Sequence, residues 1–212
     1  MLLPRSFYAD TDVVQTAQHL LGKILVTDYD GVRTSGRIVE TEAYRAPDDF
    51  ASHATKFPNT ARGKSMFVNA GTAYVFYCRY HPLFNIITAP EHLAHCVLVR
   101  AIEPLEGVDT MYLRRPHIKK LVELTNGPGK FTHALGISVE KSHHTDLCVG
   151  ENIWLEDDGC VVENPIVTPR IRVDGAGKEA AERLWRFYTP NNIFVSEKRY
   201  FSKNNFFKKG EP

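Results

Sequence analysis

Residues 36–44 read Gly-Arg-Ile-Val-Glu-Thr-Glu-Ala-Tyr, and this stretch restricts the fold more than any other. β-Branched residues cluster in it, and Asp30-Gly31 upstream is a tight-turn pair. A hairpin pairing residues 23–29 with 33–44 is therefore expected. Side chains alternate along a strand, which puts Ile38, Glu40, Glu42 and Tyr44 on one face and Val39, Thr41 and Ala43 on the other. Two carboxylates framed by an isoleucine and a tyrosine suit neither an ordinary core nor an ordinary solvent surface. Either they meet water at a sheet edge, or they are buried and paired.

A second stretch bears on that choice. Cys96-Val97-Leu98-Val99-Arg100-Ala101-Ile102 is an apolar run of strand length interrupted by one arginine. By parity Arg100 shares a face with Cys96, Leu98 and Ile102, and Glu103-Pro104 should end the strand. The guanidinium then either snorkels to water or is buried against an anion, with Glu40, Glu42 and Glu103 as the available partners.

The rest of the chain alternates short helical and extended patterns, without repeats or linkers. A helix from residue 13 to 21 is expected behind Asp10-Thr11-Asp12, and shorter ones at 61–67, 109–114, 118–124, 131–135 and 178–184. Further strands are expected at 73–80, 85–88, 153–156, 161–162, 171–173 and 185–188. The 212 residues fit one α+β domain over 1–196, followed by a basic, Phe-containing tail at 197–212. No apolar run is long enough to span a membrane and no secretory signal pattern opens the chain. Cys78, Cys96, Cys148 and Cys160 lack metal-ligand spacing, so reduced thiols in a cytoplasmic protein are expected, and no metal. With 26 Lys+Arg against 25 Asp+Glu the net charge is +1. Any polyanion would thus have to meet positive charge gathered on one face, from Arg62-Gly63-Lys64 or from the basic run at 114–120.

Four blocks carry a family resemblance. Residues 37–44 with Asp48-Asp49-Phe50-Ala51-Ser52-His53 form the first, and residues 97–107 the second. Asn126-Gly127-Pro128-Gly129-Lys130-Phe131 with Ala134-Leu135-Gly136-Ile137 forms the third, and Pro169-Arg170-Ile171 with Trp185-Arg186-Phe187-Tyr188 the last. In sequence and order these resemble the alkyladenine (3-methyladenine) DNA glycosylase family. The resemblance implies a single compact α+β domain with a curved, mostly antiparallel sheet and flanking short helices. It implies hydrolysis of the N-glycosidic bond of alkylated or deaminated purines flipped out of double-stranded DNA, by a monomer without cofactor. On family positions Glu42 activates the water and Arg100 helps to hold the water and the glutamate, while Glu40, displaced from Glu42 by about 7 Å along a regular strand, is expected to be structural. Tyr44, His53, Phe76, Asn85 and Leu98 line the base pocket, and Arg62, Lys64 and Lys130 meet phosphates.

The chain departs from the family between Phe76 and Asn85: Phe76 stands where many members have tyrosine, and the segment down to Asn85 is one residue shorter than in those members. Many members carry a tyrosine that fills the gap left by the flipped base; here Arg79 takes that position with Tyr80 beside it. Arg79, Tyr80 and His81 all remain possible wedges. No lysine occupies a catalytic position, so the expected product is an abasic site and not a cut strand. Cytoplasmic, nucleoid-associated action follows if the source is bacterial.

Overall fold

The structure, a computed structural model, describes residues 1–196; the expected tail at 197–212 lies outside the described residues. Among the described residues eight strands form one antiparallel sheet: β1 Ile24–Tyr29, β2 Val32–Arg45, β3 Ala73–Cys78, β4 His81–Thr88, β5 His95–Glu106, β6 Ile153–Glu156, β7 Ile166–Thr168 and β8 Arg186–Tyr188. Short helices flank it: α1 Arg5–Tyr8, α2 Val13–His19, α3 His53–Lys56, α4 Ala61–Lys64, α5 Val108–Arg114, α6 Leu121–Thr125, α7 Pro128–Leu135, α8 Val139–Ser142 and α9 Lys178–Glu182. The expected α+β class is the observed one.

The main path runs β3-β4-β5-β2-β1-β6, and β8, with β7 beyond it, joins the upper part of β2 on the side that β1 occupies lower down. The long β2 is therefore the spine, as its sequence suggested. Asp30 and Gly31 turn the β1–β2 hairpin with φ of 58° and 77°, the twist a two-residue hairpin loop requires. The Asp12 carboxylate caps α2 by accepting from the Val14 and Gln15 amides at 3.0 and 3.1 Å. That helix seals the main core, where Ala17 and Leu20 pack with Ile38, Ala43, Val97, Val99 and Ile102.

The parity expected for Ile38 and Ile102 is wrong. Both point into this core, while Val39 and Ala101 enter a different cluster with Phe194 and Val195. The cause is a pair of bulges. The ladder runs Ile38↔Ile102, Glu40↔Ala101, Thr41↔Val99, so Val39 is extra in β2 and Arg100 is extra in β5. Beyond them the expected alternation holds, with Glu42 and Tyr44 opposite in face to Thr41 and Ala43.

Other expectations also shift. β5 runs past Pro104 to Glu106, because only β2 pairs with it there and the missing proline N–H faces no strand. Residues 81–84 are strand as well, forming a two-residue hairpin with β3 around Arg79-Tyr80. α7 starts at Pro128, a residue suited to a first helical position, instead of at 131. Residues 161–162 are not strand, and Val161 is solvent-exposed. Residues 171–173 cannot be strand either, since Arg172 sits at φ 60°.

Candidate active site

The site starts from three adjacent strands. β2 supplies Glu40 and Glu42, β5 supplies Arg100, and β8 places Arg186 opposite Glu42 in register. The bulge at Arg100 leaves that residue outside the regular ladder and turns its side chain toward both glutamates. Arg100 Nε donates to Glu40 Oε1 at 2.9 Å, and Nη1 donates to Glu42 Oε2 at 3.1 Å. The third possible partner, Glu103, instead accepts from Asn192 Nδ2 at 2.8 Å. Burial opposes the Arg100 charge, but the Glu42 and Glu40 carboxylates more than offset it and raise the guanidinium above its ordinary range. The snorkelling alternative is thereby excluded.

Glu42 is completely buried. Its Oε1 accepts from the Ile171 amide at 2.7 Å, and its Oε2 accepts from the Tyr44 hydroxyl at 2.9 Å as well as from Arg100. Burial, then the neighbouring Glu42 charge, pushes the Tyr44 phenol well above the usual tyrosine range, so it stays a donor. Tyr44 in turn rests on Arg170, whose guanidinium carbon lies 4.6 Å from the ring centroid and 5.2 Å from that of Trp185. Arg170 is held by two bonds to Asp49, at 2.6 and 2.8 Å, and by the Ala43 and Ala180 carbonyls. The Asp49 charge cancels that of Arg170, which preserves the electron-rich character of the Tyr44 ring.

A cavity of about 920 Å³ opens in front of these residues. Tyr44, His53, Phe76, Asn85, Leu98 and Arg100 all border it, which unites the expected pocket residues. His53 and Phe76 meet edge to face at 4.6 Å between centroids, and His53 Nδ1 pairs with the Tyr74 hydroxyl at 2.9 Å. Burial first, then the Arg62 and Lys56 charges, pushes His53 down to about 4. Asn85 lies within β4, its Nδ2 donating to the Tyr74 carbonyl at 3.1 Å, so the amide is fixed in one orientation. Such a chamber suits a flat, electron-poor ring with a polar edge.

The expected depression of His53 has a measurable sign. Its folded-state value lies below the unfolded 6.5, so the neutral ring stabilises the fold above about 6.5 and that contribution is lost as pH falls toward 4. An NMR titration is expected to show the His53 ring changing charge near 4. A midpoint near 6.5 would mean a solvated ring.

Arg79 and Tyr80 form the tip of the β3–β4 hairpin at the mouth of the cavity, with Arg79 at φ 56° and Tyr80 88% exposed. His81 Nδ1 and His133 Nε2 lie 3.1 Å apart, and the first turn of α7 packs so closely that a Cβ on Gly129 would lie 2.7 Å from His81. Lys130 borders the same mouth and donates to Asn126 Oδ1 at 2.7 Å. Arg62 and Lys64 do not border the cavity: Arg62 lies over the Phe76 ring at 5.0 Å and reaches the Tyr77 carbonyl, and Lys64 ends α4 in solvent. From the basic run at 114–120, Arg114 and Arg115 bind carbonyls of α7 and α6, at 3.1 Å and 2.6 Å, and Arg115 also borders the cavity.

Several site residues escaped the sequence. Asp49, Arg170, Ile171, Arg186 and Ser196 all support the two glutamates or their neighbours. Of these, Asp49, Arg170, Ile171 and Arg186 stood inside recognised blocks, but nothing local tells a buried charge from a surface one. Among the described residues no group of three or more His, Cys, Asp or Glu side chains is arranged to hold a metal ion, and no helix is long and apolar enough to cross a membrane.

A family model described as Methylpurine-DNA glycosylase matches residues 6–193. A Chlamydia felis protein is 42% identical over 202 residues, which span 93% of this chain and 100% of its own length. A Chlamydia pneumoniae protein is 46% identical over 193 residues, spanning 88% and 94%. An archaeal protein from Methanocella arvoryzae is 41% identical over 199 residues, spanning 93% and 96%. All three carry the name "Putative 3-methyladenine DNA glycosylase".

Proposed function

The chain belongs to the methylpurine-DNA glycosylase family, and from that premise we propose that it excises 3-methyladenine and related alkylated or deaminated purines from duplex DNA. The observation that carries this reading is the buried Glu40–Arg100–Glu42 cluster directly behind an aromatic cavity of about 920 Å³. The damaged nucleotide leaves the stack and its base enters between Tyr44, His53 and Phe76. Neutral His53 and the fixed Asn85 amide meet the polar edge of the purine, and Leu98 closes the chamber.

Glu42 acts as general base. A water reaches its Oε2 at the wall where Arg100 and Tyr44 now converge, taking the place of the Tyr44 hydroxyl. Glu42 accepts a proton from this water as the oxygen bonds to C1′ and the C1′–N bond breaks, and the carboxylate steadies the positive charge developing on the sugar. A purine alkylated at N3 or N7 already carries a positive charge and departs neutral. A neutral deaminated purine leaves with the bonding electron pair as its anion and takes a proton from water. Among the described residues Lys130 alone of the lysines borders the cavity, and it is bonded to Asn126 at the mouth, so the product is an abasic site. Arg79, Tyr80 and Lys130 face the DNA at the cavity mouth, with Arg62 and Lys64 on the flank beside it. The protein acts as a monomer in the cytoplasm, on chromosomal DNA.

Single-turnover incubation with duplexes carrying 3-methyladenine or hypoxanthine tests this. Alkali-labile abasic sites are expected at the lesion only. Retarded duplex without any abasic product would make the protein a damage-binding module instead.

Tyr80 is the best placed wedge, being the most exposed aromatic at the tip, while His81 is engaged with His133. Tyr80→Ala should cost about 1–3 kcal/mol of lesion-duplex binding, the worth of an aromatic ring stacked on a base. Its thermal midpoint should stay at the wild-type value. Unchanged binding would pass the wedge role to Arg79.

A further inference from the structure

We propose that Glu40 and Arg186 are positioning residues for the reaction, setting through their mutual ion pair both the place of Arg100 and the charge around Glu42; this rests on Glu42 being the base. Glu40 is the most heavily bonded carboxylate in the cluster. Its Oε1 accepts from Arg100 Nε at 2.9 Å, Arg186 Nε at 2.7 Å and Ser196 Oγ at 3.0 Å, and its Oε2 accepts from the Ser196 amide at 2.6 Å. Arg186 is anchored elsewhere as well, to Thr168 Oγ1 at 3.3 Å and the Ser196 carbonyl at 3.0 Å. The Arg186 guanidinium also lies over the Tyr188 ring at 4.7 Å. Held on these sides and only 1% exposed, Arg186 cannot swing. It fixes Glu40, Glu40 fixes Arg100 Nε, and that leaves Nη1 aimed at Glu42.

Neither residue borders the cavity, so neither touches the base or the water. Their influence is geometric and electrostatic. Among the described residues two carboxylates, Glu40 and Glu42, face two guanidiniums, Arg100 and Arg186. Tyr44 stands beside Glu42, and Arg170 behind Tyr44 is matched by Asp49. In so dry a cluster the loss of one charge is felt strongly by those remaining. Removing the Glu40 charge leaves the surroundings of Glu42 more positive, and removing the Arg186 charge leaves them more negative.

Opposite changes in the pH dependence of excision follow. Single-turnover rates on a 3-methyladenine duplex are measured from acid to neutral pH for wild type, Glu40→Gln, Arg186→Gln and Arg186→Lys. In Glu40→Gln the acid limb is expected to move about one pH unit down, and in Arg186→Gln about one unit up, the lower range for a neighbouring charge. Arg186→Lys, which keeps the charge, returns the limb to its wild-type place. The protein concentration giving half-saturation stays within about twofold throughout, because base and DNA contacts are untouched. A purely structural role would lower stability and leave every limb where it was.

Limbs at the wild-type pH in both glutamine variants, with wild-type plateaus, overturn the proposal. Should a glutamine variant fail to fold, Glu40→Asp carries the test. It keeps the charge but shortens the reach to Arg100, so the plateau is expected to drop about tenfold with the limb in place, a loss of about 1.4 kcal/mol, and an unchanged plateau overturns the proposal. Excision that survives in Glu42→Gln overturns the base assignment together with this inference. Loss of excision there, with the Glu40 and Arg186 variants at wild type, overturns this inference alone.

Discussion

Glu42→Gln is expected to lower the single-turnover excision rate by about 10²–10⁴-fold, the usual worth of a positioned general base. Binding to lesion duplex should remain within a few fold of wild type, since Glu42 lies behind the cavity wall and contributes no surface to it. The substitution is not silent for stability. The carboxylate accepts three donors: the Ile171 amide on one oxygen, Arg100 and the Tyr44 hydroxyl on the other. A glutamine satisfies Arg100 with its carbonyl only by turning its own NH₂ toward the Ile171 N–H. The Ile171 N–H and the new NH₂ are then both left without an acceptor, at a cost of about 1–3 kcal/mol each. Excision and binding should therefore be measured below the variant's thermal midpoint, with the folded fraction established by calorimetry. A variant that is folded, binds, and excises at the wild-type rate would show that another group activates the water.

The largest effect on stability is expected from Asp49→Ala. The Arg170–Asp49 pair has no exposed side-chain surface, and Arg170 supports both the Tyr44 ring and the Ala43 carbonyl of β2. Removing the carboxylate strands a guanidinium in the interior, which costs about 3–5 kcal/mol. For a domain of this size that corresponds to a fall of about 6–20 °C in the melting midpoint. Replacing both partners, as Asp49→Ala with Arg170→Met, should recover part of the loss, because an apolar pair leaves no charge unmatched. Calorimetry of the single and double variants measures this directly. A double variant as unstable as the single one would mean that the arginine's bonds to the Ala43 and Ala180 carbonyls dominate.

The expectations that held and those that failed divide along a physical line. β2, the Asp30-Gly31 turn and the Asp12 cap depend on neighbours a few residues apart, and each was legible. Burial of Arg100 was one of two readings, and its choice of Glu40 with Glu42 over Glu103 emerges only in three dimensions. Glu40 was expected to stand apart because a regular strand separates alternate residues by about 7 Å; the two bulges bring one guanidinium within reach of both carboxylates. The β3–β4 hairpin was missed because Arg79 and Tyr80 carry none of the usual Gly or Asn turn signature, and because Pro82 reads as a breaker. Asp49 stood in a family block, but its burial against Arg170 gave no sign, since an aspartate in a polar loop ordinarily meets water. Long-range pairing of buried charges is the part that sequence periodicity does not encode.

The offsetting bulges at Val39 and Arg100 behave like two compensating frameshifts. Between them the sheet reads in a displaced phase, and after them the original phase returns. Deleting either residue alone would invert every side chain on one strand beyond that point, sending Glu42 and Tyr44 into the hydrocarbon core or Leu98 and Cys96 out of the cavity wall. A homologue that lost Val39 would have to lose the residue at Arg100 too, and with it the guanidinium. The position of this arginine is thus written into the backbone count of two strands at once, which makes it far harder to relocate than to replace.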